Sequence, residues 1–201
     1  YTSQEVKELL RLIDESQDLR LKAFVYLGMW EGLRRGEIAG LTWNNIDFET
    51  GRIYIAQVRT PIKGKIITKE PKTKKSRRAL VMDPLLKDCL LEYRKQQEEK
   101  GILGEYVIVS EKGLPLRPNQ MNNKFSRFLA KHNLKHIRIH DLRHTFCTLG
   151  IERGIDYAHM AKYLGHSNSR ITEKIYTHLK DDSISRVASI MQSTLTDILS
   201  E

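Results

Sequence analysis

A chain of 201 residues, 40% of them hydrophobic, is long enough to bury a full core and suits one domain of ordinary to large size. It carries 34 basic against 25 acidic residues, a net +9, which favours a polyanionic partner such as nucleic acid or an acidic membrane surface. The sequence has no apolar run of about 18 residues and no signal peptide, so a membrane-spanning helix is excluded and a cytoplasmic protein is expected.

In chain order, Thr2 and Glu5 form a capping-box pattern ahead of Val6, Leu9, Leu10 and Ile13 at helical spacing, which predicts a first helix. "LRLKAFVYLGMWEGL" is apolar all round and predicts a buried central helix. "RGEIAGLTWNNIDFETGRIYI" runs from a short helix into a strand pair that turns at Thr50-Gly51, with Ile53 and Ile55 alternating. A second strand pair is expected from "KGKIITKE" and "RRALVMD".

From Pro84 the chain reads as helix again, with Leu85, Leu86, Cys89, Leu90 and Tyr93 in one apolar stripe and "RKQQEEK" as its solvated end. "EYVIVS" is expected to be a short strand. Helices are predicted at about 117 to 132, 140 to 153, 156 to 164 and 168 to 179, broken at Gly154, Gly165 and Asn168. A last helix over 181–201 places Ile184, Val187, Met191, Leu195 and Ile198 on one face, so it must dock on something. The predicted class is α+β, a mainly helical domain with a small antiparallel β-sheet and a basic β-hairpin. Cys89 and Cys147 lie far apart and outside any CxxC pattern, so they read as small core residues rather than as a disulfide framework or metal site.

"HDLRHTFCTLG", from His140, admits two kinds of chemistry. His140 and His144 lie four apart on one helix and could share a zinc ion. Two ligands are too few, Asp141 is shorter than the glutamate base of zinc hydrolases, and the fixed charge of Arg143 beside His140 opposes a dication. A phosphate site gains from the same arginine, whose rigid fork of donors matches two phosphate oxygens and stabilises charge at five-coordinate phosphorus. His140, one turn earlier, adds a further hydrogen bond. A phosphodiester needs more than one arginine, so others are required.

"GLRRGEIAGLTW" at Gly32, "PKTKKSRRALVM" at Pro71, "HDLRHTFCT" at His140 and "LGHSNSRITEKIYTH" at Leu164 resemble, in order and spacing, the catalytic domain of the tyrosine recombinase, or phage integrase, family. The blocks and the helices between them cover nearly the whole of 1–201. The resemblance implies that Arg34 and Arg143 clamp the scissile phosphate, that Lys72 protonates the leaving 5′ oxygen, and that His140 and His166 assist at the phosphate. Lys74 and Lys75 are alternatives to Lys72. Tyr176 matches the nucleophile; alone on an amphipathic helix it would read as a packing residue, and its phenol, with a pKa of about 10, needs the cationic site to attack.

Glu37 and His144 fit supporting positions, Glu37 ordering the loop near Arg34 and His144 bonding behind the first contacts. Between Thr60 and Ala79, eight basic residues face a single Glu70, which concentrates +7 of the net charge. Such a run is ordinarily a solvated hairpin face; beside this site, Lys63, Lys65, Lys74, Lys75 and Arg77 are read as contacts to DNA phosphates. The "RG" of "LRRGE" departs from the family's commoner apolar-Ser pair at positions that hold no assigned role.

The resemblance further implies a 3′-phosphotyrosine intermediate, with no metal, ATP or other cofactor. It implies double-stranded DNA attachment sites as partner, a homotetramer on two sites with a monomer off DNA, an accessory directionality factor, and a bacterial or phage-infected host. The face from Ile184 to Ile198 would pack either on a neighbouring protomer or on its own domain. A start at Tyr1 suggests an absent N-terminal DNA-binding domain, so weak binding and little complete recombination are expected of this chain by itself. The rivals are a nicking topoisomerase of related chemistry, a non-catalytic DNA-binding regulator, and a zinc hydrolase.

Overall fold

The computed structural model describes residues 1–70, 77–102, 104–165 and 182–200. Lys72, Lys74, Lys75, His166, Tyr176 and the helix expected at 168 to 179 lie outside the described residues.

α1 (Ser3–Glu15) begins at its capping box: the Thr2 hydroxyl accepts from the Glu5 N–H at 3.2 Å, and the Glu5 carboxylate accepts from the Thr2 N–H at 2.6 Å. Val6, Leu9, Leu10 and Ile13 are fully buried, as their spacing requires. α2 (Leu19–Met29) is the central helix. It packs against α1, α3 (Arg35–Gly40), α4 (Pro84–Glu99), α5 (Pro118–Lys131) and α6 (Ile139–Glu152), and a helix enclosed on so many sides must be apolar all round. In α4, Leu86, Cys89, Leu90 and Tyr93 are buried, whereas Leu85 falls off the stripe and is exposed.

Strand pairing differs from the expectation. β1 (Ile46–Asp47), β2 (Arg52–Ile55) and β5 (Arg78–Val81) form one antiparallel sheet in that order, and β3 (Val58–Ile62) with β4 (Lys65–Lys69) forms a separate hairpin. "KGKIITKE" therefore pairs with the residues before it and not with "RRALVMD". The cause is local. Lys63 and Gly64 have φ of 46° and 78°, the backbone of a two-residue hairpin turn whose twist matches the flanking strands. β5 is left to pair with β2, and Ile53 opposite Leu80 puts two fully buried side chains together.

"EYVIVS" does not form a strand but only isolated bridges, Thr42 to Tyr106 and Val109 to Pro115. Val107, Ile108 and Val109 are all buried, so the segment lacks the two-sided alternation of a pleat, and Pro115 offers no N–H to extend a ladder.

α7 (Tyr157–Leu164) is capped by Asp156 at its start and by Gly165 at its end. α8 (Asp182–Ser200) packs against α6, α7, β5 and α1 of the same chain, with Val187, Met191, Leu195 and Ile198 buried. Each such side chain contributes about 1.5–3 kcal/mol when withdrawn from water.

Candidate active site

The end of α2, the start of α3, the first half of α6 and the end of α7 converge on one carboxylate. The chain leaves α2 through Gly32, whose φ of +60° and whose closeness to Leu164, 2.5 Å from where a Cβ would stand, leave room for glycine alone. This turn presents the Gly32 carbonyl to α6, and Arg143 Nη1 donates to it at 2.5 Å. Two residues later Arg34 precedes the first turn of α3, and Glu37 reaches back to accept from the Arg34 N–H at 2.9 Å.

Glu37 is the hub. Arg34 Nη1 donates to Oε1 at 2.8 Å, Arg78 Nη1 to Oε1 at 3.1 Å and Arg78 Nη2 to Oε2 at 3.0 Å, while Arg143 Nη1 stands 4.0 Å from Oε2. The end of α7 supplies the other acceptors: Arg34 Nη2 donates to the Gly165 carbonyl at 2.9 Å and Arg143 Nη2 to the Leu164 carbonyl at 2.7 Å. Gly165 sits in the left-handed region, φ +64°, and is the last described residue before His166.

Three guanidinium groups around one carboxylate leave an excess of positive charge. The Glu37, Arg78 and Arg143 side chains are 2%, 4% and 2% exposed and Arg34 is 34% exposed, so Arg34 is the member that faces solvent. Burial by itself would raise the Glu37 pKa; Arg78, by charge and hydrogen bond, and Arg34 outweigh it and hold the carboxyl near about 2. Burial, followed by the charges of Arg34 and Arg78, pushes Arg143 down to about 9, which keeps it cationic at neutral pH. Such a centre attracts an anion and stabilises negative charge that grows on it.

Arg34 and Glu37 are thus brought together with Arg143, more than a hundred residues later in the sequence. His140 and His144 share α6 with Arg143 but lie at its surface, edge to face with ring centroids 4.6 Å apart. Burial first, then His144 and Arg143, lowers the His140 pKa, which favours the neutral ring. Lys63 and Lys65 are exposed at the β3–β4 turn, and Arg77 is exposed and paired with Glu70.

Two residues of the cluster and its surroundings go unassigned by sequence reasoning. Arg78 counts there only among the hairpin charges, although the alternation of "RALVM" sets it on the same side as Leu80 and Met82, a cation on an inward face. Glu31, fully buried, accepts from the Tyr163 hydroxyl at 2.8 Å and from the Asp83 N–H at 3.1 Å. An acid in the middle of "GMWEGL" is the corresponding signal.

The sequence model of the phage integrase family matches residues 1–183, a span that holds all four blocks. The chain belongs to the phage integrase family. Relatives of this integrase-family chain include a tyrosine recombinase XerC-like protein of Caldanaerobacter subterraneus subsp. tengcongensis, 31% identical over 198 residues that cover 89% of this chain and 50% of that protein. The ICEBs1 integrase of Bacillus subtilis (strain 168) is 30% identical, over 96% of this chain and 54% of that protein. The chain therefore spans about half the length of the curated relatives it matches.

Among solved structures, the Tn1549 transposon integrase in complex with circular intermediate DNA superposes with a TM-score of 0.74 at 24% identity, over 92% of this chain and 64% of that one. XerA recombinase gives 0.65 at 24% identity, over 94% and 63%. These likenesses establish the fold, the mainly helical tyrosine recombinase catalytic domain with its small antiparallel sheets.

Proposed function

We propose that the chain is the catalytic part of a site-specific DNA recombinase that cuts and rejoins strands through a 3′-phosphotyrosine link, without metal or ATP. The observation that carries this reading is the arginine cluster around Glu37, open to solvent at Arg34 and adjoining the turn that leads to His166. A phosphodiester bound there would meet fixed positive charge on the oxygens that gain negative charge as phosphorus becomes five-coordinate.

The Tyr176 phenol gives up its proton to solvent as its oxygen attacks phosphorus, the bond to the 5′ oxygen breaks, and Lys72 gives that oxygen a proton. The product is a tyrosyl 3′-phosphate and a free 5′-hydroxyl. Attack by a 5′-hydroxyl of another strand reverses the step, returning the tyrosine and making a new phosphodiester. His140 donates to a non-bridging oxygen, and His166 adds a further hydrogen bond to the phosphate.

Double-stranded DNA attachment sites are the partner. The exposed Lys63, Lys65 and Arg77, with Lys74 and Lys75, neutralise backbone phosphates. Support comes from solved neighbours of this fold that hold DNA, the Tn1549 transposon integrase with circular intermediate DNA among them. The assembly on two sites is a homotetramer, the protein off DNA is a monomer, and an accessory factor sets direction. It acts in the cytoplasm.

Incubation of the full-length protein with a nicked suicide duplex tests the chemistry: a covalent protein–DNA adduct is expected, insensitive to EDTA and lost in Tyr176→Phe. An adduct that survives Tyr176→Phe, or cleavage that EDTA abolishes and zinc restores, contradicts it. Exchange between two sites, set against relaxation of a single supercoiled circle, separates a recombinase from a topoisomerase.

A further inference from the structure

Arg78 is neither of the two arginines that the sequence blocks assign, yet it is the cation that gives both of its Nη groups to the Glu37 carboxylate. It opens β5, is 4% exposed, and gives both Nη groups to Glu37 as a parallel fork. Its Nε is buried and finds no hydrogen-bond partner among the described residues. Along its flank runs Gly165, where a Cβ would come within 3.1 Å of Nη1 and 3.5 Å of Cζ.

A buried cation is costly unless paired, and an apolar residue beside Leu80 and Met82 would fill the inward strand position without that cost. What the fork adds is direction. Two parallel N–H bonds fix the plane of the Glu37 carboxylate, which a single ammonium could not do. The same two oxygens receive the Arg34 N–H and Nη1, so the plane that Arg78 sets determines where the Arg34 fork points.

We propose that Arg78 is a positioning residue for the arginine clamp: by pinning Glu37 from β5 and lying along the Gly165 turn, it sets the orientation of Arg34 before a phosphate arrives. The proposal rests on the reading of this site as a phosphodiester-cleaving centre. It makes Arg78 act through Arg34 on the phosphate oxygens and not on the leaving group.

The test compares wild-type protein with Arg78→Lys, which keeps charge and loses the fork, and Arg78→Met, which keeps length and loses both. The substrate is a nicked duplex of the site the full-length wild-type protein cleaves, with either oxygen or sulfur at the 5′ bridging position. Cleavage should slow about 10-fold in Arg78→Lys and about 100-fold in Arg78→Met, with DNA affinity unchanged within about threefold. The sulfur leaving group, which needs no proton, should not restore either variant. Cleavage by Arg78→Met at the wild-type rate overturns the proposal, and so does recovery on the sulfur substrate.

Nitrogen NMR of the arginine side chains gives an arm independent of activity. The Arg34 Nη rotation should be slow in wild type, released in Arg78→Met and partly released in Arg78→Lys. Unchanged Arg34 signals overturn the proposal. Should wild type form no adduct on any DNA, the cleavage reading fails and the Arg34 signals still decide the role of Arg78. Should Arg78→Met lose its fold by circular dichroism, Arg78→Lys carries both arms.

Discussion

Glu37 holds Arg34 twice, accepting from its backbone N–H at 2.9 Å and from Nη1 at 2.8 Å. One bond fixes where α3 begins and the other aims the guanidinium, so a single carboxylate three residues downstream sets both the place and the direction of the Arg34 side chain. The same oxygens receive Arg78, and Arg143 stands beside them, which makes Glu37 the counter-charge on which the whole cationic site depends.

Glu37→Gln should therefore cost more than a hydrogen bond. It leaves Arg78 and Arg143 buried without their anion, a loss of about 3–5 kcal/mol by the general behaviour of broken buried pairs. Urea unfolding should show it as a lower midpoint. Strand cleavage by the variant that remains folded should fall about 100-fold. A midpoint within experimental error of wild type contradicts the role of Glu37 as hub.

Gly32→Ala places a side chain on a left-handed backbone, at about 1–2 kcal/mol, and against Leu164. The turn would move, and with it the carbonyl that accepts from Arg143. We expect a lower melting temperature and cleavage slowed at least about 10-fold with DNA affinity kept. Equal slowing of binding and cleavage would point instead to a general loss of fold.

Glu31 predicts a pH dependence of stability. Burial raises its pKa to about 8, opposed by the Tyr163 and Asp83 hydrogen bonds and supported by the charge of Asp83. The folded protein thus keeps a proton that the unfolded chain releases near the ordinary glutamate pKa of 4.5. The resulting stability is fully present below that value and is lost as pH rises through about 8, on the order of 5 kcal/mol in all. Glu31→Gln can still accept from the Asp83 N–H and donate to Tyr163, so its melting temperature should fall less between pH 6 and pH 9. Parallel curves for variant and wild type would contradict the assignment.

Much of the fold is legible because burial has a period. α1 announces itself through Thr2, Glu5 and a stripe of four apolar residues, and α2 through being apolar all round. The strand pairing is not legible, because it turns on the backbone of Lys63-Gly64, and a lysine at positive φ carries no signature in a residue string. Of the site, the blocks name Arg34, Glu37 and Arg143 individually. That they share one carboxylate is a fact of packing between helices far apart in sequence, and Arg78 shows why this matters: its role lies in which face of β5 it occupies.

Lys63 and Lys65 stand exposed at the β3–β4 turn. Replacing both with Ala should weaken DNA binding alike for specific and unrelated duplexes, and should reduce the salt slope by about 1 for each phosphate no longer neutralised. Titrations at several salt concentrations measure it. An unchanged slope would make the hairpin a solvated face.

The central claim, that Tyr176 carries the DNA, is tested most directly by trapping the adduct on a nicked duplex, digesting it with protease and nuclease, and sequencing the nucleotide-bearing peptide by tandem mass spectrometry. The account predicts a 3′-phosphodiester on Tyr176. A nucleotide on a different side chain, the well-exposed Tyr157 for example, or no nucleotide-bearing peptide at all, would contradict it.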